Sequence, residues 1–366
     1  MTTTKPSSPD ESLIRDLSYP ALDGLRFYAA MLVFLVHSVG LMMTEYFSVP
    51  ENELAYDSSN PLYSLSTYLS DGHHGVDIFF VISGFLMARI VFGREIGWWA
   101  FVWKRFKRIY PAFLVSLVIV AAANCLLFDW EFKWKDFGLN LIFYNALPDH
   151  GIIPYNYVTW SLGYEFAFYL LVPLLGYAAR YIDRRVVAAA ALCVVLASIP
   201  DSICRLSGLF VGLFIGSLDE KILIRIAGYV PAVLVVGLYL ILMVAKGYWP
   251  LQYLAFYHWL LVLIPVGLIS IAFGNNWLGR LFSTPVLRKL GTLSYSFYLF
   301  HSICIVLVMR YLLVWLGVKG NPWVAMPIYF VASFVLAVAV SYVSYTLFEA
   351  PYFRSHKKTT GTSMST

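Results

Sequence analysis

The stretch LDGLRFYAAMLVFLVHSVGLMM, residues 22–43, decides the fold class. As a helix rising 1.5 Å per residue it covers about 33 Å, enough for the roughly 30 Å hydrocarbon core of a bilayer. Nine further apolar runs follow, at about 74–92, 109–128, 158–179, 186–200, 203–218, 222–244, 251–273, 291–315 and 324–348. The fifth and sixth of the ten are short and are separated only by the turn around Pro200 and Asp201. A further stretch, Leu139–Leu147, is too short to span and is expected at the interface or as a re-entrant segment. The expectation is an all-α polytopic membrane protein, a bundle of about ten transmembrane helices.

Composition agrees. Hydrophobic residues make up 60% of the 366 and charged residues 13%, about half the charge of an ordinary soluble domain. Too few polar side chains remain to coat a water-facing surface. The same figures exclude a disordered chain, a nucleic-acid-binding domain and a secreted disulfide scaffold. Cys125, Cys193, Cys204 and Cys304 lie in or beside apolar runs without the clustered spacing of a metal site, so they read as small buried hydrophobes.

Lysine and arginine set the expected orientation. The 44–72 loop has no basic residue, whereas Arg89, Arg94, Lys104, Arg105, Lys107 and Arg108 crowd the next one. With ten spans and a cytoplasmic N-terminus, only Lys133, Lys135, Arg205, Lys246, Arg310 and Lys319 of the 26 basic residues fall on the outer side. Both termini are therefore expected in the cytoplasm. Residues 1–21 form a polar N-terminal segment without signal-peptide features. Residues 22–348 form the membrane-embedded domain and 349–366 a short basic tail, whose Ser/Thr-rich part after Arg354 is expected to be disordered. No internal repeat stands out.

Ionisable groups inside apolar runs are costly and mark candidate sites. Arg26 and His37 are eleven residues apart, three turns plus about 20°, so they share one helix face with a rise of about 16 Å. This aligns a phosphate-binding cation with a titratable imidazole; a snorkelling Arg26 and a packed, neutral His37 are the plain alternatives. Glu165, in TWSLGYEFAFYLLVPLLG, is the acid deep in an apolar run, and its depth of about 10 Å is close to that of His37. Pairing with His37 is expected if their helices are neighbours; a structural polar clamp is the alternative. Asp77, in GVDIFFVISGF, is placed to orient a histidine or an acceptor, or simply to cap a helix start. Ser83 and Gly84 suit close helix contact. His301, in LSYSFYLFH, is a second candidate, equally readable as structural; His258 is weaker. His73, His74 and His150 fall at span ends or outer loops, where a solvated imidazole is the default, and His356 falls in the tail. No metal site is expected. Arg105 and Arg108, three apart in WKRFKRIYP, present forked guanidinium groups on one face, suited to phosphate or, alternatively, to anionic lipid.

Taken in order, LDGLRFYAAMLVFLVH, GVDIFFVISGFLM, WKRFKRIYPAF, WSLGYEF, LSYSFYLFH and the closing FEAPYFR resemble acyltransferase family 3, integral-membrane O-acyltransferases. The resemblance covers nearly the whole chain. It implies transfer of an acyl group, often acetyl, from cytoplasmic acyl-CoA to a hydroxyl of a glycan or other extracytoplasmic acceptor, with no tightly bound cofactor. The family's basic residue and histidine fall on Arg26 and His37, its arginine pair on Arg105 and Arg108, and its glutamate on Glu165. Its ninth-span histidine falls on His301, and its final Phe-Glu-x-Pro on Phe348, Glu349 and Pro351, expected to shape the exit of the bundle. The implied roles are His37 as base oriented by Glu165, and Arg26, Arg105 and Arg108 as ligands of the acyl-CoA phosphates. Localisation follows as the inner cell membrane. Aromatic residues of the outer loops (Tyr56, Tyr63, Trp130, Trp134, Tyr155, Tyr157) suit stacking on sugar rings, or equally an interfacial belt. The rival class is a proton-coupled secondary transporter of a glycan or lipid, with Glu165 and His37 as proton relay; the inverted repeats and paired broken helices of such folds are not seen in the sequence.

Overall fold

The computed structural model describes residues 19–47, 74–93, 95–147, 151–198, 206–248 and 253–352, with backbone alone at 47, 198, 243–248 and 253–258. Among these residues there is no strand. The helices are α1 (Pro20–Phe47), α2 (His74–Val91), α3 (Trp98–Leu127), α4 (Trp134–Leu141), α5 (Trp160–Ala178), α6 (Arg184–Ser198) and α7 (Ser207–Ser217). They continue with α8 (Glu220–Tyr229), α9 (Ala232–Tyr248), α10 (Tyr253–Phe273), α11 (Trp277–Phe282), α12 (Pro285–Leu307) and α13 (Pro322–Ser344). Wide π turns at Val308–Leu312 and Tyr345–Glu349 carry α12 on to Trp315 and α13 on to Tyr352.

Among the described residues every apolar run is helical, but six helices are long and apolar enough to cross a bilayer, or seven if α8 and α9 count as one span bent by 70°. The bend falls at Pro231, which has no N–H to continue the ladder. The runs 186–200 and 203–218 become helices of 15 and 11 residues. The run expected from 109 starts eleven residues earlier, at Trp98, because the long-stemmed Lys and Arg residues of WKRFKR are good helix formers. Pro111 sits inside that helix without ending it, as neighbouring helices permit in a membrane bundle. The short stretch near Leu139–Leu147 is the end of α4 followed by a single 3₁₀ turn, Tyr144–Ala146.

The centre of the bundle is α1, with α2 on one side and α12 along the other. Among the six long helices burial is greatest in α2, where 72% of the apolar window is buried, and least in α13, with 28%, whose Trp323, Val331 and Val335 face outward. Helix α7 packs most closely, on α2. Its Gly208, Gly212 and Gly216 recur every four residues, and a Cβ at Gly212 would strike the backbone of Val81 and Phe85. Gly84 on α2 answers them against Leu209, the small-residue contact expected of it.

Candidate functional site

A chamber of about 400 Å³ opens between α1, α2, α3, α5, α12 and the last π turn. Its apolar wall includes Val76, Phe79, Phe80, Met87, Ile109 and Leu162, and its polar wall Arg26, Arg108, Glu165, Tyr169, Tyr298 and Glu349. Three of the residues singled out in the sequence thus meet in one space. Arg26 makes no hydrogen bond or ion pair among the described residues. Asp23, one turn before it, leans to Arg288 outside, Oδ2 to Nε 3.9 Å. A guanidinium facing a chamber without a protein partner is a site for an anion.

Arg105 takes a different direction from Arg108. It does not line the chamber; its guanidinium lies over the rings of Phe101 at 5.5 Å and Tyr169 at 6.0 Å. Its Nε is buried without a hydrogen-bond partner. Three residues along a helix rotate a side chain by about 60°, enough to put Arg108 on the chamber and Arg105 behind its wall.

Glu165 is held by two hydroxyls. Ser83 donates to its Oε1 at 2.6 Å and the Tyr169 hydroxyl donates to the same oxygen. The expected contact with His37 is absent among the described residues, because the helix that runs along α1 at that level is α12, not α5. The partner of His37 is His301, with Nδ1 to Nε2 at 2.7 Å. His301 Nδ1 faces the carbonyls of Tyr298 at 2.8 Å and Phe297 at 3.2 Å.

Carbonyls only accept, so they fix the tautomers. His301 carries its proton on Nδ1 and presents the Nε2 lone pair. His37 must then donate from Nδ1, which leaves its own Nε2 lone pair as the free base. His301, wholly buried, therefore stands against His37 where the sequence reading put Glu165. The ring of Tyr157 stands edge-on to His37 at a centroid distance of 5.0 Å and is 45% exposed. Neither histidine lines the chamber; Tyr298, one turn before His301, does.

Asp77 is buried beside His74, Oδ2 to Nδ1 3.4 Å. His74 is 1% exposed, which corrects the solvated reading of that histidine. Glu349 was placed at the exit by its position near the chain end. The π turn instead keeps it inside the bundle, 2% exposed, lining the chamber and accepting from Ser296 Oγ at 2.6 Å. A carboxylate directly after the final apolar run was the available signal. Among the loop aromatics, Tyr155 is buried with its hydroxyl accepting from the Lys133 amide, whereas Trp130, Trp134 and Tyr157 are exposed. Tyr56, Tyr63, His73, His150, Cys204 and His356 lie outside the described residues, as does the side chain of His258.

These features define a class: a polytopic helical membrane protein with an internal polar chamber and a hydrogen-bonded histidine pair beyond its wall. The chain belongs to acyltransferase family 3, whose sequence profile, described as an acyltransferase domain, matches residues 19–346. It is similar to the acyltransferase MdmB of Streptomyces mycarofaciens, 31% identical over 49% of this chain and 46% of that one. It is also similar to a provisionally named O-acetyltransferase of Staphylococcus aureus (strain COL), 24% identical over 78% of this chain and 53% of the relative. The provisionally named membrane-bound transacylase BcsY of Komagataeibacter xylinus is 31% identical over 77% of this chain and 76% of its own. The chain spans about half the length of the first two of these relatives. No solved structure matches it.

Proposed function

We propose that the protein is an integral O-acyltransferase of the inner cell membrane that moves an acyl group, in the first instance acetyl, from cytoplasmic acyl-CoA to a hydroxyl of an extracytoplasmic or membrane-linked glycan. The observation that carries this reading lies on α1. Arg26, unpaired, faces the chamber, and His37, about 16 Å further along the same face, is held as a base by His301. That rise is close to the reach of a pantetheine arm. Arg26 and Arg108 take the diphosphate. Glu165, already holding two hydroxyls on Oε1, offers Oε2 to an amide N–H of the arm. Arg105 supports this wall through Tyr169.

At the far end of the arm, His37 Nε2 accepts the proton of the acceptor hydroxyl as its oxygen attacks the thioester carbonyl. The carbon–sulfur bond breaks, and the imidazolium returns the proton to the departing thiolate. His301 Nε2, accepting from His37 Nδ1, fixes the ring and spreads the charge of the imidazolium. The names of the Staphylococcus and Komagataeibacter relatives, an O-acetyltransferase and a transacylase, support acyl transfer as the reaction class.

The test is incubation of the purified protein with labelled acetyl-CoA, following thioester loss, in wild type and His37→Ala. Donor-dependent loss that disappears in the variant supports the reading. Undiminished loss in a folded His37→Ala protein removes the proposed base, and no acetyl-CoA binding by wild type removes the donor.

A further inference from the structure

The donor reading leaves one step unaccounted for: the chamber holding Arg26 stops short of His37. The residue at that boundary is Tyr298. Its side chain lines the chamber, its ring centroid is 6.0 Å from that of His301, and Phe79, another chamber residue, closes on its other side at 6.0 Å. The hydroxyl of Tyr298 donates to the carbonyl of Val158 at 2.6 Å. Having spent its proton there, it accepts from Ser161 Oγ at 2.8 Å. Both partners sit at the start of α5, where Val158 belongs to the 3₁₀ turn Tyr157–Thr159. The next residue back, Tyr157, is the ring standing edge-on to His37. One short turn therefore touches the chamber wall through Val158 and the base through Tyr157.

We infer that Tyr298 is a latched partition between the donor chamber and the histidine pair, held shut by its hydroxyl on Val158 and Ser161, and that a donor arm must swing it aside to bring the thioester to His37. The inference rests on the donor reading above. It makes Tyr298 a positioning residue, acting on when the base is reached rather than on the reacting atoms. The latch keeps the thioester from the base and from water until the arm is fully seated. The polar partners are buried, so the latch is not competed away by solvent.

The experiment compares wild type with Tyr298→Phe, which keeps the ring and deletes both latch bonds. Two quantities are read on the full chain in detergent or nanodiscs without acceptor: the Kd for acetyl-CoA, and the rate of acetyl-CoA hydrolysis per bound donor. A net hydrogen bond shifts an equilibrium by roughly two- to tenfold. Hydrolysis per bound donor is therefore expected to rise by about tenfold in Tyr298→Phe, with Kd unchanged within about twofold. Ser161→Ala removes one bond and leaves Tyr298 in place; a smaller rise in the same direction is expected, and it carries the test if Tyr298→Phe does not fold. Hydrolysis per bound donor that stays the same or falls, in either folded variant, overturns the partition while leaving the donor reading intact. Absence of acetyl-CoA binding in wild type overturns both.

Discussion

At the scale of single residues, the decisive fact is which nitrogen of His37 is free. The carbonyls of Phe297 and Tyr298 dictate the tautomer of His301, which dictates that of His37. Removing His301 should leave His37 Nδ1–H without its acceptor and the ring without its orientation. We expect His301→Ala to lower kcat for acetyl transfer or hydrolysis by roughly 10²-fold, and His37→Ala by roughly 10²–10⁴-fold, both without change in acetyl-CoA affinity. Equal losses of affinity and kcat would reduce the pair to packing. On the chamber side the expectation is reversed. A charge-assisted hydrogen bond contributes about 1.5–3 kcal/mol, so Arg26→Ala and Arg108→Ala should each weaken acetyl-CoA binding by about ten- to a hundredfold, measured as Kd. Arg105→Ala should act less on Kd, because its head rests on Phe101 and Tyr169 behind the wall. The alignment of Arg26 with His37 was legible because it depends only on helical period. The His37–His301 pair was not, because 264 residues separate the two and the sequence does not say which helices are neighbours. Glu165 was legible as a carboxylate within an apolar run but not as one satisfied by Ser83 and Tyr169.

At the scale of helices, hydropathy located every apolar run but could not tell a span from a half-span. The stretch 203–218 reads as apolar all round, and its Gly208, Gly212 and Gly216 explain why: α7 is buried against α2 rather than laid along lipid. The bend at Pro231 divides another run into α8 and α9. The glycine stripe also makes the contact between α7 and α2 the least tolerant interface of the bundle. At Gly212 the obstruction is backbone, which has no rotamer by which to give way. Gly212→Leu should therefore abolish the monodisperse folded species, and even Gly212→Ala should cost about 1–3 kcal/mol, seen as a lower Tm in detergent. Gly228→Ala is the matched control. That position has open space around it and lies in a helix, so the variant should hold or slightly raise Tm. A Gly212→Ala protein as stable as Gly228→Ala would mean that close approach to α2 is not what requires the glycine.

At the scale of the whole molecule, the two ends of the bundle differ in a way that bears on where the donor comes from. The chamber end carries Arg26, Arg108 and Arg288, while the opposite end of α1 carries Glu45. Arg310 and Lys319, two of the basic residues that ran against the expected orientation, both close on that glutamate, at 2.9 and 3.0 Å. A third, Lys133, pairs with Glu131 at 3.6 Å. The positive-inside rule counts Lys and Arg rather than net charge, so these contacts leave the proposed orientation resting on the distribution of basic residues alone. The orientation proposed from the Lys and Arg distribution would put the chamber mouth at the cytoplasm, the compartment that holds acyl-CoA, and His37 towards the far leaflet. Single-cysteine variants in a background lacking Cys125, Cys193, Cys204 and Cys304 measure this directly. Lys289→Cys reports the chamber end and Gly320→Cys the other; both positions are exposed. A membrane-impermeant maleimide added to intact spheroplasts should label the Gly320→Cys variant at once and the Lys289→Cys variant only after permeabilisation. The opposite pattern would put the anion site of Arg26 outside the cell, where no acyl-CoA reaches it, and the donor reading would fail at its first step.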